Sequence, residues 1–439
     1  MKKIVFFGLG AVGSVMACCL YELCKSEGNK QLEFLFVVRN PNKAKQYFFR
    51  APHLLKVSKL LKINDFKTFF QNPKKYAAQL NDADVFINAS APEFNDMILK
   101  LAIEFKTPYC DLASDMYNAH TLKTLKFSQQ SFHQQLQKTG IFGLINVGIS
   151  PGVTNFLVGE KLAHLQRARN SLKIKAINLY LLEHMDSKQV LFSWSPTTAL
   201  EELEEKPRYF KNKKLISVQP FSYSQNYEFP HFKGEVAQYP IYQEEILSFH
   251  DSFPEINSIH VSSGGSEMEL IKNLFQLNLL SKKDVKCMAA GTSIEQIVRM
   301  VLPGMQSPKK IEEMQKNKTI KYAQFAAIAE IILETQDGKG KNILLTETTG
   351  LSFHKYPQLI ETPYSGATYI AYPTGIGAAI LLFYAYLSWT KNKQGFSGII
   401  KAEELPAKIS PEEIEEIKRK MSSYMIDFVS HTDSFLKIK

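Results

Sequence analysis

Residues 3–13 read KIVFFGLGAVG, and SVMACCLYELCKSEG follows directly. The apolar run Lys3–Phe7 ends at a glycine, the pattern of a short buried strand. The segment after Gly13 is apolar enough, and long enough, for a helix. Gly8, Gly10 and Gly13 therefore fall between a strand and a helix. In that position the first glycine permits a tight turn, the second lets a pyrophosphate approach the backbone, and the third lets the helix pack on the strand. The first amides of such a helix, at Ala11, Val12 and Gly13, have no partner within it and attract an anion. The stretch thus predicts an α/β, Rossmann-type doubly wound parallel sheet that binds a dinucleotide. A glycine turn without a ligand is the alternative.

The second strand bears on which dinucleotide. LEFLFVVRN, residues 32–40, ends in Arg39 and Asn40, with no carboxylate to receive a ribose 2′-hydroxyl. Arg39 instead offers a planar fork of donors to a 2′-phosphate, which favours NADP(H). An ordinary surface cation is the competing reading.

Further along, residues 83–115 read ADVFINASAPEFNDMILKLAIEFKTPYCDLASD. Val85–Asn88 is a strand, and the small residues after it, with Asn88, Ala89 and Ser90 first, let a cofactor lie close to the sheet edge. A helix over 95–105 leads to a further strand that delivers Asp111 to the same edge. Asp111 is either a site residue or a loop cap.

Composition sets the broad class. The chain has 439 residues, 45% of them hydrophobic, which is enough for two or three packed domains. Its five cysteines form no CxxC pair, so neither a disulfide framework nor a metal site is expected, and a cytoplasmic protein is. The formal charge is +10, with basic residues dispersed except in KPRYFKNKK, residues 206–214. That cluster reads as a solvated loop, and no nucleic-acid partner is expected. The segment 369–389, YIAYPTGIGAAILLFYAYLSW, approaches the length of a membrane span. Pro373, Gly375 and Gly377 interrupt it, so it predicts a buried helix.

The order of several short segments resembles the saccharopine dehydrogenase-like reductases. The segments are DVFINASAPEFNDMILKLAIEFKTPYCDLAS (84–114), GLINVGISPGVTNFLVGE (143–160), FSWSPTTALEE (192–202), YPTGIGAAILL (372–382) and GFSGIIKAEELP (395–406). The resemblance implies an NADP-binding Rossmann domain over 1–128 and an inserted mixed-sheet α/β domain over 129–368 that binds substrate and dimerises. It also implies a C-terminal helix and tail over 369–439 that return to the first domain. The activity implied is hydride transfer between NADP(H) and the C–N bond, imine or secondary amine, of a small amino-acid-derived substrate. There are departures: Ser150 stands where the family's glutamate-forming and polyamine enzymes have Asp, Val147 stands where saccharopine reductases often have Cys, and HVSSGGSEMEL lacks their Arg-Tyr turn.

Asp111, Asn146 and Ser150 are the candidate catalytic polar groups. Gly152, Trp194 and Ser195 are candidates to line the substrate site, with core packing the alternative for Trp194. His120 and His184 are further candidates for proton transfer. A non-catalytic or membrane-associated relative of the same family is the alternative function.

Overall fold

The computed structural model describes residues 1–29, 31–168, 173–193, 206–280, 293–336 and 342–437. The apolar runs read as strands at the N-terminus form a seven-stranded parallel sheet. Its strands are β1 (Lys3–Phe7), β2 (Glu33–Val38), β3 (Ser58–Lys62), β4 (Val85–Asn88), β5 (Tyr109–Asp111), β6 (Phe142–Ile145) and β15 (Gly398–Lys401), in the spatial order β15-β6-β5-β4-β1-β2-β3. From β3 to β6 this is the Rossmann order, with the reversal between β1 and β4. Strands β1, β4 and β6 are buried on both faces, which explains their apolar character, whereas β3 at the edge is partly exposed.

The second sheet is mixed. It comprises β7 (Lys173–Ser187), β10 (Gln225–Glu228), β11 (Glu235–Pro240), β12 (Ser258–Gly264), β13 (Ile320–Gln336), β14 (Asn342–Phe353) and β16 (Asp427–Lys437), ordered β10-β11-β12-β7-β13-β14-β16. The hairpin β8 (Arg208–Lys211) and β9 (Lys214–Ser217) attaches to β12. This hairpin replaces the solvated loop expected of KPRYFKNKK. Its two-residue turn, Asn212 and Lys213, has both φ angles positive, the geometry that fits the twist of paired strands.

Helix α1 (Ala11–Ser26) follows the glycine loop, α2 (Asn95–Phe105) joins β4 to β5, and α3 (Val153–Ala168) follows β6. The second domain contributes α4 (Glu244–Ser252) and α5 (Ser266–Gln276). The apolar segment expected to be a buried helix is α6 (Ala371–Lys391), most of which is buried. It packs on α1, where Gly375 sits against Val15 and Met16, while Gly377 on another face sits against Val153. The four described cysteines are all free and buried, three of them on α1.

The C-terminal segment divides between the sheets. Helix α6 and β15 lie with the first sheet, but β16 pairs antiparallel with β14 in the second. The expectation that the whole tail returns to the Rossmann domain is corrected here. Strand β14 would otherwise be an unprotected edge, and the tail covers it.

Candidate active site

Four parallel strands of the first sheet, β1, β4, β5 and β6, point their carboxyl ends at one cleft of about 650 Å³. Gly10–Gly13 after β1, the Asn88–Asn95 segment after β4, the Leu112–Tyr117 segment after β5 and Gly148–Pro151 after β6 form one wall. Leu181 and Glu183 of β7, Phe325 of β13, and Tyr242, Gln243 and Glu244 at the start of α4 form the other. Ile370, Ala371 and Thr374, at the start of α6, contribute as well. The cleft therefore lies between the two sheets, at the switch point where an open α/β sheet binds ligands.

The glycine loop divides its tasks as the spacing predicts. Gly8 has φ +95°, and a Cβ there would stand 2.8 Å from the Ala89 carbonyl oxygen. A Cβ on Gly13 would meet that of Ala89 at 3.0 Å, so the third glycine lets α1 sit against the β4 loop. A Cβ on Gly10 would meet nothing within 4 Å. That open space, next to the uncapped amides of α1, fits a pyrophosphate. Ala11 and Val12 line the same wall.

Asn88 is buried and fully engaged. Its Oδ1 accepts from the Ser90 amide (2.9 Å) and hydroxyl (2.6 Å), and its Nδ2 donates to Asn95 Oδ1 (2.7 Å) and the Ala91 carbonyl (3.1 Å). It thus shapes the loop that brings Ala89 and Ser90 to the cofactor side. Arg39 is exposed just past β2, with no ion-pair partner among the described residues. Asn40 beside it caps the short helix Pro41–Gln46 by accepting from the Lys43 amide at 3.0 Å.

Asp111 and Asn146 stand behind the wall and not on it. Asp111 Oδ1 accepts from the Asn146 amide (2.8 Å), and its Oδ2 from the Tyr109 hydroxyl (2.9 Å) and Gln129 Nε2 (3.2 Å). Burial raises its pKa to about 7 against these three hydrogen bonds, which lower it. Asn146 has φ +57°, and its Oδ1 accepts from Ser114 Oγ at 2.7 Å. Neither side chain is among those lining the cleft. Expected as catalytic polar groups, they instead tie β5, β6 and the Ser114 loop together through their hydrogen bonds.

Ser150 does line the cleft, and its hydroxyl donates to the buried Glu245. The Ser150–Pro151 peptide is cis. Gly152 is buried beneath this turn with φ +136°, and a Cβ there would fall 2.1 Å from the Gly148 carbonyl oxygen. Its amide donates to Asn155 Oδ1 at 3.1 Å. Gly152 therefore builds the turn and does not open onto the substrate, a correction to the expected role.

Strand β7 separates Glu183 from His184. Successive side chains on a strand face opposite ways, so Leu181 and Glu183 face the cleft. Tyr180 and Leu182 join a separate cluster with Phe229, and the His184 ring packs edge-on against Phe232 at 4.9 Å. His184 has its pKa lowered by burial, and it does not reach the cleft. His120 is exposed and does not line it either. Trp194 and Ser195 lie outside the described residues.

The cleft's acids are what sequence reasoning missed. Glu183 is pushed up to about 8, by burial and then by the neighbouring Glu267. Glu244 is likewise pushed up to about 8, by burial and then by Glu245, which burial itself raises to about 7. Glu267 accepts from the Tyr369 hydroxyl at 2.7 Å. A signal existed: in NLYLLEH, Glu183 occupies the alternation that carries Leu179 and Leu181 inward. In EEILSF the two glutamates read as ordinary acids of a helix first turn, where the dipole favours them.

The fold and the cleft are those of a nicotinamide-dependent oxidoreductase. Residues 4–144 match the saccharopine dehydrogenase NADP binding domain, and residues 148–421 match the saccharopine dehydrogenase C-terminal domain. The chain belongs to the saccharopine dehydrogenase family. A solved structure of the L-Glu-forming saccharopine dehydrogenase from Saccharomyces cerevisiae is similar, with a TM-score of 0.63 at 16% identity, covering 99% of this chain and 100% of that one. A myo-inositol dehydrogenase from Corynebacterium glutamicum aligns over 99% of this chain and 100% of its own, with a TM-score of 0.37 and 8% identity. No curated protein sequence matches the chain.

Proposed function

We propose that the protein transfers a hydride between NADP(H) and the C–N bond of an imine or secondary amine. One observation carries this reading: the glycine loop shares its cleft with acids from the second domain, and no histidine or lysine is among the described lining residues. Oxidising a hydroxyl calls for a base relay, whereas an iminium already carries the charge that makes its carbon accept hydride. When bound, the nicotinamide supplies or takes up the hydride. In the reducing direction the imine carbon would gain that hydride and its nitrogen a proton.

The chain's own residues bind and orient. Gly10 and the amides of Ala11, Val12 and Gly13 fit the pyrophosphate, and Arg39 fits the 2′-phosphate. Ala89 and Ser90, small side chains on the cleft wall, leave room at the sheet edge for the reacting ring. Ser150, positioned by Glu245, offers a hydroxyl to the substrate nitrogen. Orientation of this kind contributes on the order of 7–11 kcal/mol to rate, more than one acid–base group supplies.

A non-catalytic or membrane-associated relative is the competing reading. The burial of α6 against α1 speaks against its membrane form. The test is to incubate the purified chain with NADPH and a matrix of amines (lysine, 1,3-diaminopropane, putrescine) against carbonyls (aspartate semialdehyde, aminoadipate semialdehyde, pyruvate, 2-oxoglutarate). Loss of nicotinamide absorbance with one amine–carbonyl pair supports the reading. Tight NADPH binding with no turnover in any pair would favour the non-catalytic relative.

A further inference from the structure

Away from the cleft, the described residues bring together one group of three metal-ligating side chains: His231, His354 and Asp427, whose ligand atoms all lie within 4.8 Å of one another. They come from three separate segments. His231 lies in the connection between β10 and β11, His354 directly follows β14, and Asp427 opens β16. None of them lines the cleft. Phe232, beside His231, and Val429, close after Asp427, pack on the cluster of Tyr180 and Leu182, on the face of β7 turned away from Glu183. His354 Nδ1 is buried and makes no hydrogen bond, although Asp427 Oδ2 stands 3.5 Å away. Two ligands on a tetrahedral zinc ion are separated by about 3.4 Å, given metal–ligand bonds of roughly 2.0–2.2 Å. A buried, unpaired nitrogen at that separation from a carboxylate oxygen fits a shared ion. The rings of His231 and His354 are stacked, with centroids 4.0 Å apart. His231 is exposed, so its ring can turn a nitrogen to the same point.

We propose that His231, His354 and Asp427 bind a late first-row divalent ion, Zn²⁺ foremost, with water in the fourth position. Imidazole suits zinc, copper and nickel, whereas Mg²⁺ and Ca²⁺ take oxygen ligands. The site contains no cysteine, so the cysteine pattern, from which no metal site is expected, does not bear on it. Lys355 Nζ stands 2.9 Å from the Asp427 carboxylate and pairs with it. A carboxylate has lone pairs for both partners, and the ammonium beside it lowers the affinity for a dication without closing the site. With the ion bound, the β10–β11 connection, the end of β14 and the start of β16 are tied at one point. The ion thus clasps the C-terminal strand to the sheet edge that it covers, and it stabilises the folded chain by binding it in preference to the unfolded one. The site is separate from the cleft, so its occupancy does not depend on the reaction there.

The probe is Zn²⁺, titrated at pH 7.5 into the untagged full chain after treatment with a chelator and its removal, with a chromophoric chelator as competitor. One zinc per chain is expected to bind, Mg²⁺ is not, and zinc is expected to raise the unfolding midpoint. His231→Asn, His354→Gln and Asp427→Asn are each expected to weaken zinc at least about tenfold and to abolish the rise in midpoint. Asparagine tolerates the φ of +61° at residue 231, so the first variant keeps the backbone of the connection. Co²⁺ in place of zinc is expected to show visible ligand-field bands without the thiolate charge-transfer band that cysteine ligation adds. Absence of zinc binding, Mg²⁺ bound as tightly as zinc, a thiolate band, or unchanged zinc affinity in any of the three variants would overturn the site.

Discussion

Gly375 of α6 lies so close to Val15 of α1 that a Cβ at Gly375 would stand 2.6 Å from the Val15 Cβ and 2.9 Å from the Met16 amide nitrogen. The helix that carries the glycine loop is thus packed against a helix drawn from near the other end of the chain. Gly375→Val is expected to lower stability by about 1–3 kcal/mol, the usual cost of overpacking a well-filled contact. Thermal unfolding of the variant beside the parent checks this. An unchanged midpoint would mean that the two helices separate without loss.

Gly10 provides the contrast. Its backbone is extended, and a Cβ there would meet no protein atom within 4 Å. Gly10→Ala is expected to leave the unfolding midpoint near that of the parent while weakening NADPH at least tenfold, about 1.4 kcal/mol. Fluorescence titration reads the affinity. Full affinity in Gly10→Ala would move the pyrophosphate away from this loop.

Arg39 separates the two nicotinamide cofactors. Removing a hydrogen bond to a charged group costs on the order of 1.5–3 kcal/mol, roughly 10- to 150-fold in affinity. Arg39→Ala is expected to lose that much for NADPH and little for NADH, because only NADPH carries the 2′-phosphate. Equal losses for both would remove the assignment.

Asp111 is expected to act on stability before it acts on turnover. Asp111→Ala leaves the buried Asn146 amide without an acceptor and reduces the Tyr109 hydroxyl and Gln129 to their bonds with Asn95 Oδ1 and Ser114 Oγ. Each buried group left unpaired costs about 1–3 kcal/mol. The unfolding midpoint should fall clearly, and the protein that remains folded should retain most of its NADPH affinity. A stable Asp111→Ala protein with abolished turnover would instead return the residue to the chemistry.

The buried glutamates set a pH dependence. Glu183 and Glu244 stand at about 8 in the folded chain against 4.5 for an ordinary glutamate, so between these values the folded state holds protons that the unfolded state has released. Stability from these groups is full below about pH 4.5 and declines as pH rises toward 8. The parent's unfolding midpoint should fall more steeply between pH 5 and pH 8 than those of Glu183→Gln and Glu244→Gln. Parallel curves would show that neither group titrates in that window.

Local signals suffice for the first sheet. An apolar strand, three glycines at fixed spacing and a helix lie within 26 residues, so the separate tasks of Gly8, Gly10 and Gly13 are legible from their spacing alone. The buried character of α6 is legible too, because Pro373 and two glycines break an otherwise spanning run. Strand β13 is not legible. Its AAIAEIILE core is rich in residues that favour helices, and it is a strand because β7 and β14 pair with it on either side.

The sequence by itself determined the dinucleotide loop and the family, since both rest on residues close together or in fixed order along the chain. The tertiary structure decided which polar groups face the cleft. Asp111 and Asn146 end strands that point at the site, yet their hydrogen bonds turn inward. Glu183 and Glu244 carry no local motif, yet they reach the cleft because strand alternation and the packing of the second domain bring them there. A short motif encodes a backbone conformation, whereas the facing of a side chain depends on partners far away in sequence that no local pattern records.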